Sequence, residues 1–285
     1  ENPPPEPLTA CDRCASCLLV DAGTHPDFFL VAKPEDKNEL PIEMMLDLCG
    51  DFCLKTARGR GKVAILEGAD DLNDASANCF LKTLEEPPPR SMFILIGTDV
   101  ERQLPTIRSR SHVVRFAPLP AETVRMLLEK SELPDRSMIP RLVRLAEGSP
   151  GQALALADPD LWKFRTRLLS VLAKPPIDSG SLGKEFVAFA EEAGKETAAQ
   201  RIRVALVLRL LIAGLRDALR IRLGEPAPEG EDAQTLQALS RILGPDEIVR
   251  VLERVLETEV QLDRYIQVSL VAEGLVDALC AALVA

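Results

Sequence analysis

Short apolar segments of the kind that form β-strands occur only in the first 117 residues of the chain. They are the end of "AGTHPDFFLVAK", "KVAIL" at 62–66, "MFILIG" at 92–97 and "HVVRF" at 112–116. Segments with helical periodicity lie between them, and we predict helices over 41–57 and 73–86. Strands that alternate with helices are typical of a parallel sheet with helices on both faces. This part of the chain is therefore predicted to be α/β.

No strand pattern follows "APLP" at 117–120, and the rest of the chain is predicted to be helical. Short helices are expected first, then a linker over "KPPIDSGSLG" at 174–183, then longer helices that break near 224–232 and 244–245. The fold class is thus α/β followed by all-α. We predict three domains, with boundaries at 1–117, 118–175 and 176–285. The proline-rich residues 1–10 are predicted to be irregular.

Composition excludes several classes of function. The formal net charge of -10 argues against a protein whose whole surface binds DNA or an anionic membrane. A single Trp and a single Tyr argue against base stacking on single-stranded nucleic acid as the main activity. The longest apolar runs contain Arg209, Glu273 and Asp277, so they indicate amphipathic helices and no membrane partner. With no secretory signal and with closely spaced thiols, the predicted location is cytoplasmic.

The stretch "CDRCASC" places Cys11, Cys14 and Cys17 at C-x2-C-x2-C spacing. Such spacing lets a turn present thiolates to one tetrahedral Zn²⁺, which needs four ligands. The next cysteines, Cys49 and Cys53, are one helical turn apart on an apolar face and are interpreted as core residues. Two interpretations are open: a structural zinc site whose fourth ligand is missing from this chain, or three ordinary thiols. No general base accompanies the cluster, which argues against a catalytic zinc.

The apolar strand "KVAIL" runs directly into the acidic stretch "EGADD". In P-loop ATPases such a strand ends in an acid that holds Mg²⁺, and in many a second acid polarises the attacking water. Glu67 stands at the first position, but Gly68 stands at the second, and Asp70 and Asp71 are expected to point elsewhere. No G-x-x-x-x-G-K-[ST] segment occurs in the sequence. The chain is therefore not expected to hydrolyse ATP by itself, and a buried strand with a solvated acidic turn is the alternative interpretation.

Two further stretches have less specific chemistry of their own. "LKTLEEPPPR" is a helix that stops at three prolines. In "LIGTDVERQLPTIRSRSHVVRF", a buried strand ends at Thr98, and Arg110 comes just before the next predicted strand. An arginine suits a finger that acts on a neighbouring subunit, because its planar fork binds phosphate oxygens and stays protonated. A surface salt bridge is the other interpretation of Arg110.

A resemblance to one family is carried by four stretches of the chain: "CDRCASCLLVDAGTHPDFF", "KVAILEGADDLNDASANCFLKTLEEPP", "LPTIRSRSHVVRF" and "LAEGSPGQALALA". In order and spacing, they are similar to the clamp-loader ATPase subunits of bacterial DNA polymerase III. The resemblance covers roughly residues 1–160. It implies a truncated AAA+ sheet of the P-loop type with a zinc module at 11–27, a small helical lid and a C-terminal helical collar. It also implies that a phosphate loop and the first zinc cysteine belong upstream of Glu1.

Within this family the resemblance favours the delta-prime type over the gamma/tau motor type. The motor's pair of acids falls on Glu67 and Gly68, and its sensor arginine falls on Gly151. The arginine-finger motif is kept as "SRS", with Arg110 in its centre. The implied role is a stator of the polymerase holoenzyme, in which Arg110 acts in trans on ATP bound by a neighbouring motor subunit. Glu67 and Thr98 are then remnants of a nucleotide site.

The resemblance also names the expected partners and cofactors. The partners are the gamma/tau motor subunits, the delta subunit, the sliding clamp and, through the complex, primer–template DNA. The cofactors are structural zinc held by the three cysteines and ATP bound by the partner subunit. Two alternatives stay open: a gamma/tau-like motor, and a zinc-containing scaffold that binds DNA without ATP chemistry. The second rests on a basic cluster at Lys55, Arg58, Arg60 and Lys62.

Overall fold

A computed structural model describes residues 9–34, 37, 39–174, 177–228 and 232–284. The predicted irregular start therefore lies mostly outside the described residues, as do parts of the predicted linker and of the break near 224–232. The chain divides into two compact units, one up to Arg115 and one from Phe116 onward. No helix among the described residues has both the length and the apolarity needed to cross a bilayer.

The first unit contains a parallel sheet of three strands in the order β1-β2-β3. The strands are β1 Phe28–Ala32, β2 Lys62–Glu67 and β3 Ser91–Ile96. The helices described in this unit are α1 Ala15–Asp21, α2 Ile42–Cys53, α3 Asp74–Glu85 and α4 Pro105–Arg108. The α/β prediction for this part of the chain is thus confirmed.

One face of the sheet carries the core of this unit. Phe93 of β3 stacks on Phe52 of α2 at 4.3 Å and meets the edge of Phe80 of α3 at 5.0 Å between ring centroids. Because neighbouring strand residues alternate between faces, Leu30 and Ile94 lie on the opposite face. Their exposed fractions are 59% and 40%. The prediction of helices on both faces is therefore wrong for the described residues.

The predicted fourth strand at 112–116 is also wrong, because these residues have no strand structure. Val114 and Phe116 are 66% and 92% exposed. A strand needs a neighbour whose N–H and C=O groups complete the ladder. In the described residues β3 pairs only with β2, and the segment does not pair with its free edge.

The second unit is entirely helical in its described part, as predicted. Its helices are α5 Ala121–Lys130, α6 Ile139–Leu145, α7 Pro150–Ala155, α8 Pro159–Leu172, α9 Ser179–Glu191, α10 Thr197–Arg222, α11 Ala233–Ile242, α12 Pro245–Asp263 and α13 Val268–Val284. One hydrophobic cluster runs from Val124 to Leu279. The division of this part into a lid and a collar at residue 175 stays a prediction.

Helix α9 begins inside the segment that was predicted to be a linker. The side chain of Asp178 accepts a hydrogen bond from the backbone N–H of Ser181, which caps the helix at its first turn. Glycine and serine at 179–183 gave this segment the composition of a loop. The cap and the burial of Leu182 outweigh that composition.

Candidate functional site

The chain turns sharply where β2 ends at Glu67. Gly68 has φ +69°, a left-handed conformation that glycine adopts without the steric cost of a Cβ atom. A short 3₁₀ turn, Ala69–Asp71, follows. This turn brings the Asp70 carboxylate to the end of β3. The expectation that Asp70 points away from the position of the second acid stays a prediction.

Asp70 links the ends of the two strands through hydrogen bonds. Its Oδ2 accepts from the backbone N–H of Thr98 at 2.5 Å and from the Thr98 hydroxyl at 2.6 Å, and its Oδ1 accepts from the Gln103 amide at 2.6 Å. Partial burial raises the pKa of Asp70, but these hydrogen bonds outweigh it and lower the pKa below its ordinary value. A Cβ atom at Gly97 would lie 2.6 Å from Oδ1, so the carboxylate also depends on a glycine there.

No hydrogen bond joins Glu67 and Thr98, the two predicted remnants of a nucleotide site, in the described part of the chain. Glu67 is exposed and lies in register with Ala32 and Ile96. Thr98, also exposed, donates its hydroxyl proton to Asp70. Their assignment to a nucleotide site stays a prediction. Gly151 lies in the first turn of α7, in the second unit.

Arg110 lies just beyond α4, and three contacts define its side chain. Nη2 donates to Glu85 Oε1 at 2.5 Å, and Nη1 donates to the Thr106 carbonyl at 3.0 Å and to Ser109 Oγ at 3.1 Å. The side chain is 35% exposed. The surface ion pair considered from the sequence is therefore present in this chain. The trans finger stays a prediction that the remaining exposure permits.

Sequence reasoning missed Glu85 as a functional candidate. The residue ends α3, which begins after Asn73, whose side chain accepts from the backbone N–H of Ser76 as the predicted cap. The prolines after Glu86 end the helix, and the stretch was interpreted only as a helix stop. The signal available in the sequence was a carboxylate in the last turn of a helix, where the dipole disfavours negative charge.

The three cysteines of the predicted zinc module lie together. Their Sγ atoms are all within 4.8 Å of one another, with 3.6 Å between Cys14 and Cys17 and 3.9 Å between Cys11 and Cys17. Zinc–sulfur bonds of about 2.3 Å place the corners of a tetrahedron about 3.8 Å apart. The three thiols therefore fit three corners of such a site and could bind a metal ion.

The backbone around the cluster favours a thiolate. N–H groups of Arg13 and Cys14 directed at Cys11 lower the pKa of its thiol to about 7. A metal-bound cysteine is deprotonated, so a lowered pKa reduces the competition between protons and the metal for the thiolate.

Of the two cysteines interpreted as core residues, Cys49 packs against the core but Cys53 is exposed. That interpretation is therefore wrong for Cys53.

The basic cluster proposed from the sequence is smaller in the structure. Lys62 is only 4% exposed, and its Nζ donates to the Asp51 carbonyl and lies 5.9 Å from the Phe29 ring centroid. Lys62 is therefore buried in the fold and unavailable to a nucleic acid. This removes one of the four residues on which the DNA-binding scaffold alternative rests.

Comparison with known proteins gives a consistent result. Residues 3–120 match the family described as "DNA polymerase III, delta subunit". The chain is 36% identical over 169 residues to DNA polymerase III subunit delta' of Escherichia coli strain K12, covering 59% of this chain and 51% of that protein. It is 35% identical over 173 residues to the delta' subunit of Pseudomonas aeruginosa, covering 60% and 52%.

A relative of the motor type also matches. The gamma/tau subunit of Mycobacterium bovis is 31% identical over 153 residues, which cover 52% of this chain and 26% of that protein. The chain spans about half the length of the delta' relatives.

The matched family and the relatives support a clamp-loader subunit of DNA polymerase III. Within that class, the relatives support the delta-prime type. The resemblance predicted from the sequence is thereby confirmed.

Proposed function

We propose that the protein acts in DNA replication as a delta-prime-like stator of the clamp loader. The observation that supports this most is a combination of two residues. Arg110 is partly exposed, and Gly68, after the end of β2, stands where many P-loop ATPases have their second acid. A carboxylate at that position would need a residue with a Cβ atom in the left-handed region. The chemistry therefore belongs to a neighbouring subunit, and this chain contributes an arginine to it.

In the proposed mechanism, ATP is bound by an adjacent gamma/tau motor subunit, and Arg110 reaches its γ-phosphate. Negative charge on the phosphoryl oxygens is what an arginine finger stabilises in the transition state. The delta subunit, the sliding clamp and primer–template DNA complete the set of proposed partners. The helices of the second unit supply the lid and the collar that holds the subunits in a ring, and the complex works in the cytoplasm.

The gamma/tau match makes an active motor the second candidate function. ATP turnover by the isolated protein separates the two candidates. We expect no turnover above background from the isolated protein and stimulated turnover when it joins the motor subunits, delta, clamp and primed DNA. Turnover above background by the isolated protein would contradict the stator proposal.

We also propose that the cysteine cluster holds a structural zinc ion. Zinc bound there would cross-link residues 11 to 17 and fix the turn before α1. Only thiolates bind the metal, so zinc should protect Cys11, Cys14 and Cys17 from alkylation. The exposed thiol of Cys53 is a control within the same chain.

The predicted result is slower alkylation of the three cluster thiols in the presence of one equivalent of Zn²⁺, with the Cys53 rate unchanged. Mass spectrometry of peptides after timed alkylation measures all four rates. A chelator should restore the fast rates. If zinc leaves the three cluster rates unchanged, the cysteines are ordinary thiols.

A further inference from the structure

The contacts of Arg110 use only part of its guanidinium group. Nη1 is occupied by the Thr106 carbonyl and Ser109 Oγ, both from the same short turn as the arginine. Nη2 has one contact, with Glu85 Oε1 at 2.5 Å, and Nε donates no hydrogen bond within the described part of the chain. A guanidinium has five N–H donors, so an edge formed by Nε and Nη2 remains for another acceptor.

Glu85 is the one contact that comes from a different element. It lies 25 residues before Arg110 and ends α3, whereas Thr106 and Ser109 move with the arginine itself. A carboxylate at the C-terminal end of a helix meets the negative end of the dipole, and a cation beside it relieves this repulsion. The pair therefore has a physical reason to persist in the free chain. It anchors the arginine to the rigid helix that packs on the sheet.

An arginine side chain loses much rotamer freedom when it is held in one conformation. If it is already held in the productive conformation before the reaction, this entropy cost does not add to the activation free energy. We propose that Glu85 is a positioning residue, which holds the Arg110 guanidinium so that its Nε–Nη2 edge faces the nucleotide phosphate of a neighbouring subunit. This inference rests on the proposed function. Glu85 itself touches no nucleotide in this arrangement.

The chain offers a matched control. Glu86 follows Glu85 directly, is exposed like it, and has no side-chain hydrogen bond or ion pair in the described residues. Glu85→Ala and Glu86→Ala remove the same charge from the same helix end. Only the first removes the partner of Arg110. Because the Glu85 side chain is 49% exposed, neither substitution should prevent folding.

The test measures ATP turnover of the assembled loader with the motor subunits, delta, clamp and primed DNA, after assembly has been verified by gel filtration. We expect Glu85→Ala to lower kcat by about three- to tenfold, the loss of one charge-assisted hydrogen bond, with KM for ATP unchanged. Glu85→Gln, which keeps an acceptor oxygen, should restore part of the rate. Glu86→Ala should match the unsubstituted protein.

A double substitution shows whether Glu85 acts through the arginine. In an Arg110→Ala background, Glu85→Ala should have no further effect. The positioning role is wrong if Arg110→Ala lowers turnover but Glu85→Ala has the same turnover as Glu86→Ala. It is also wrong if Glu85→Ala raises turnover, or lowers it further in the Arg110→Ala background. In each of these cases the stator proposal stands. If Arg110→Ala itself has no effect, the proposed function fails first.

Discussion

Replacement of Arg110 by alanine is expected to lower ATP turnover of the assembled clamp loader by at least about 10³-fold. Arginine fingers contribute about 10³ to 10⁵ in rate where they neutralise charge on the transferred phosphoryl group. The loss should appear in kcat, because the contact forms fully only in the transition state. The measurement is steady-state phosphate release by the complex with clamp and primed DNA.

Arg108 supplies the control for this substitution. It lies two residues before Arg110, is 39% exposed and pairs with Glu101 at 3.0 Å. Arg108→Ala removes an arginine of similar exposure from the same segment and should leave turnover within about twofold, as expected for a surface ion pair. Lysine at 110 should recover little activity, since an ammonium lacks the planar fork. Equal turnover by the Arg108→Ala and Arg110→Ala complexes would show that Arg110 is only a surface salt bridge.

The sequence predicted the elements that depend on local pattern. Strands β2 and β3 follow from continuous apolar runs, and α3 follows from its cap at Asn73 and the prolines after Glu86. The segment at 112–116 has an equally good strand pattern but no strand. Its pairing depends on a neighbour, which local pattern does not report.

The candidate site shows the same division. The order of Cys11, Cys14 and Cys17 along the chain already implied that their sulfur atoms lie together. The contacts of Asp70 with Thr98 and of Glu85 with Arg110 span 28 and 25 residues. Both depend on turns: Gly68 redirects the chain after β2, and the turn after α4 orients the arginine. Pattern reasoning located the strand ends but not the direction of the side chains beyond them.

A buried charge cluster in the helical unit leads to the largest expected effect on stability. Asp232, whose side chain is 9% exposed, accepts hydrogen bonds from Arg165 of α8 and from the Thr166 hydroxyl, and it forms an ion pair with Arg141 of α6. The Arg165 side chain is 3% exposed. Its burial lowers its pKa to about 9, which reflects the cost of keeping a charge away from water. The guanidinium therefore depends on its partner.

Asp232→Ala is expected to lower the free energy of unfolding by about 3–5 kcal/mol, because it leaves the buried charge of Arg165 without its hydrogen-bonded carboxylate. Trp162 reports on this transition directly. It is the only tryptophan, and Arg141 Cζ lies 3.8 Å from its ring centroid. Urea unfolding followed by its fluorescence measures the change. Asp277→Ala, at an exposed position of α13, is the control and should change stability by no more than about 0.5 kcal/mol.

A second substitution separates unpaired charge from lost packing. The stability lost in Asp232→Ala is attributed to the uncompensated guanidinium of Arg165. If this is right, replacing Arg165 by methionine in the same protein should recover stability. Apolar residues in place of a buried ion pair often leave the free energy of unfolding unchanged. We expect the double variant to regain more than half of the loss. A double variant less stable than Asp232→Ala would assign the effect to packing and to the hydrogen bond that Arg165 Nε donates to the Leu210 carbonyl at 2.9 Å. In that case Arg165 holds α8 against α10 through its own contacts, and Asp232 serves mainly to neutralise it.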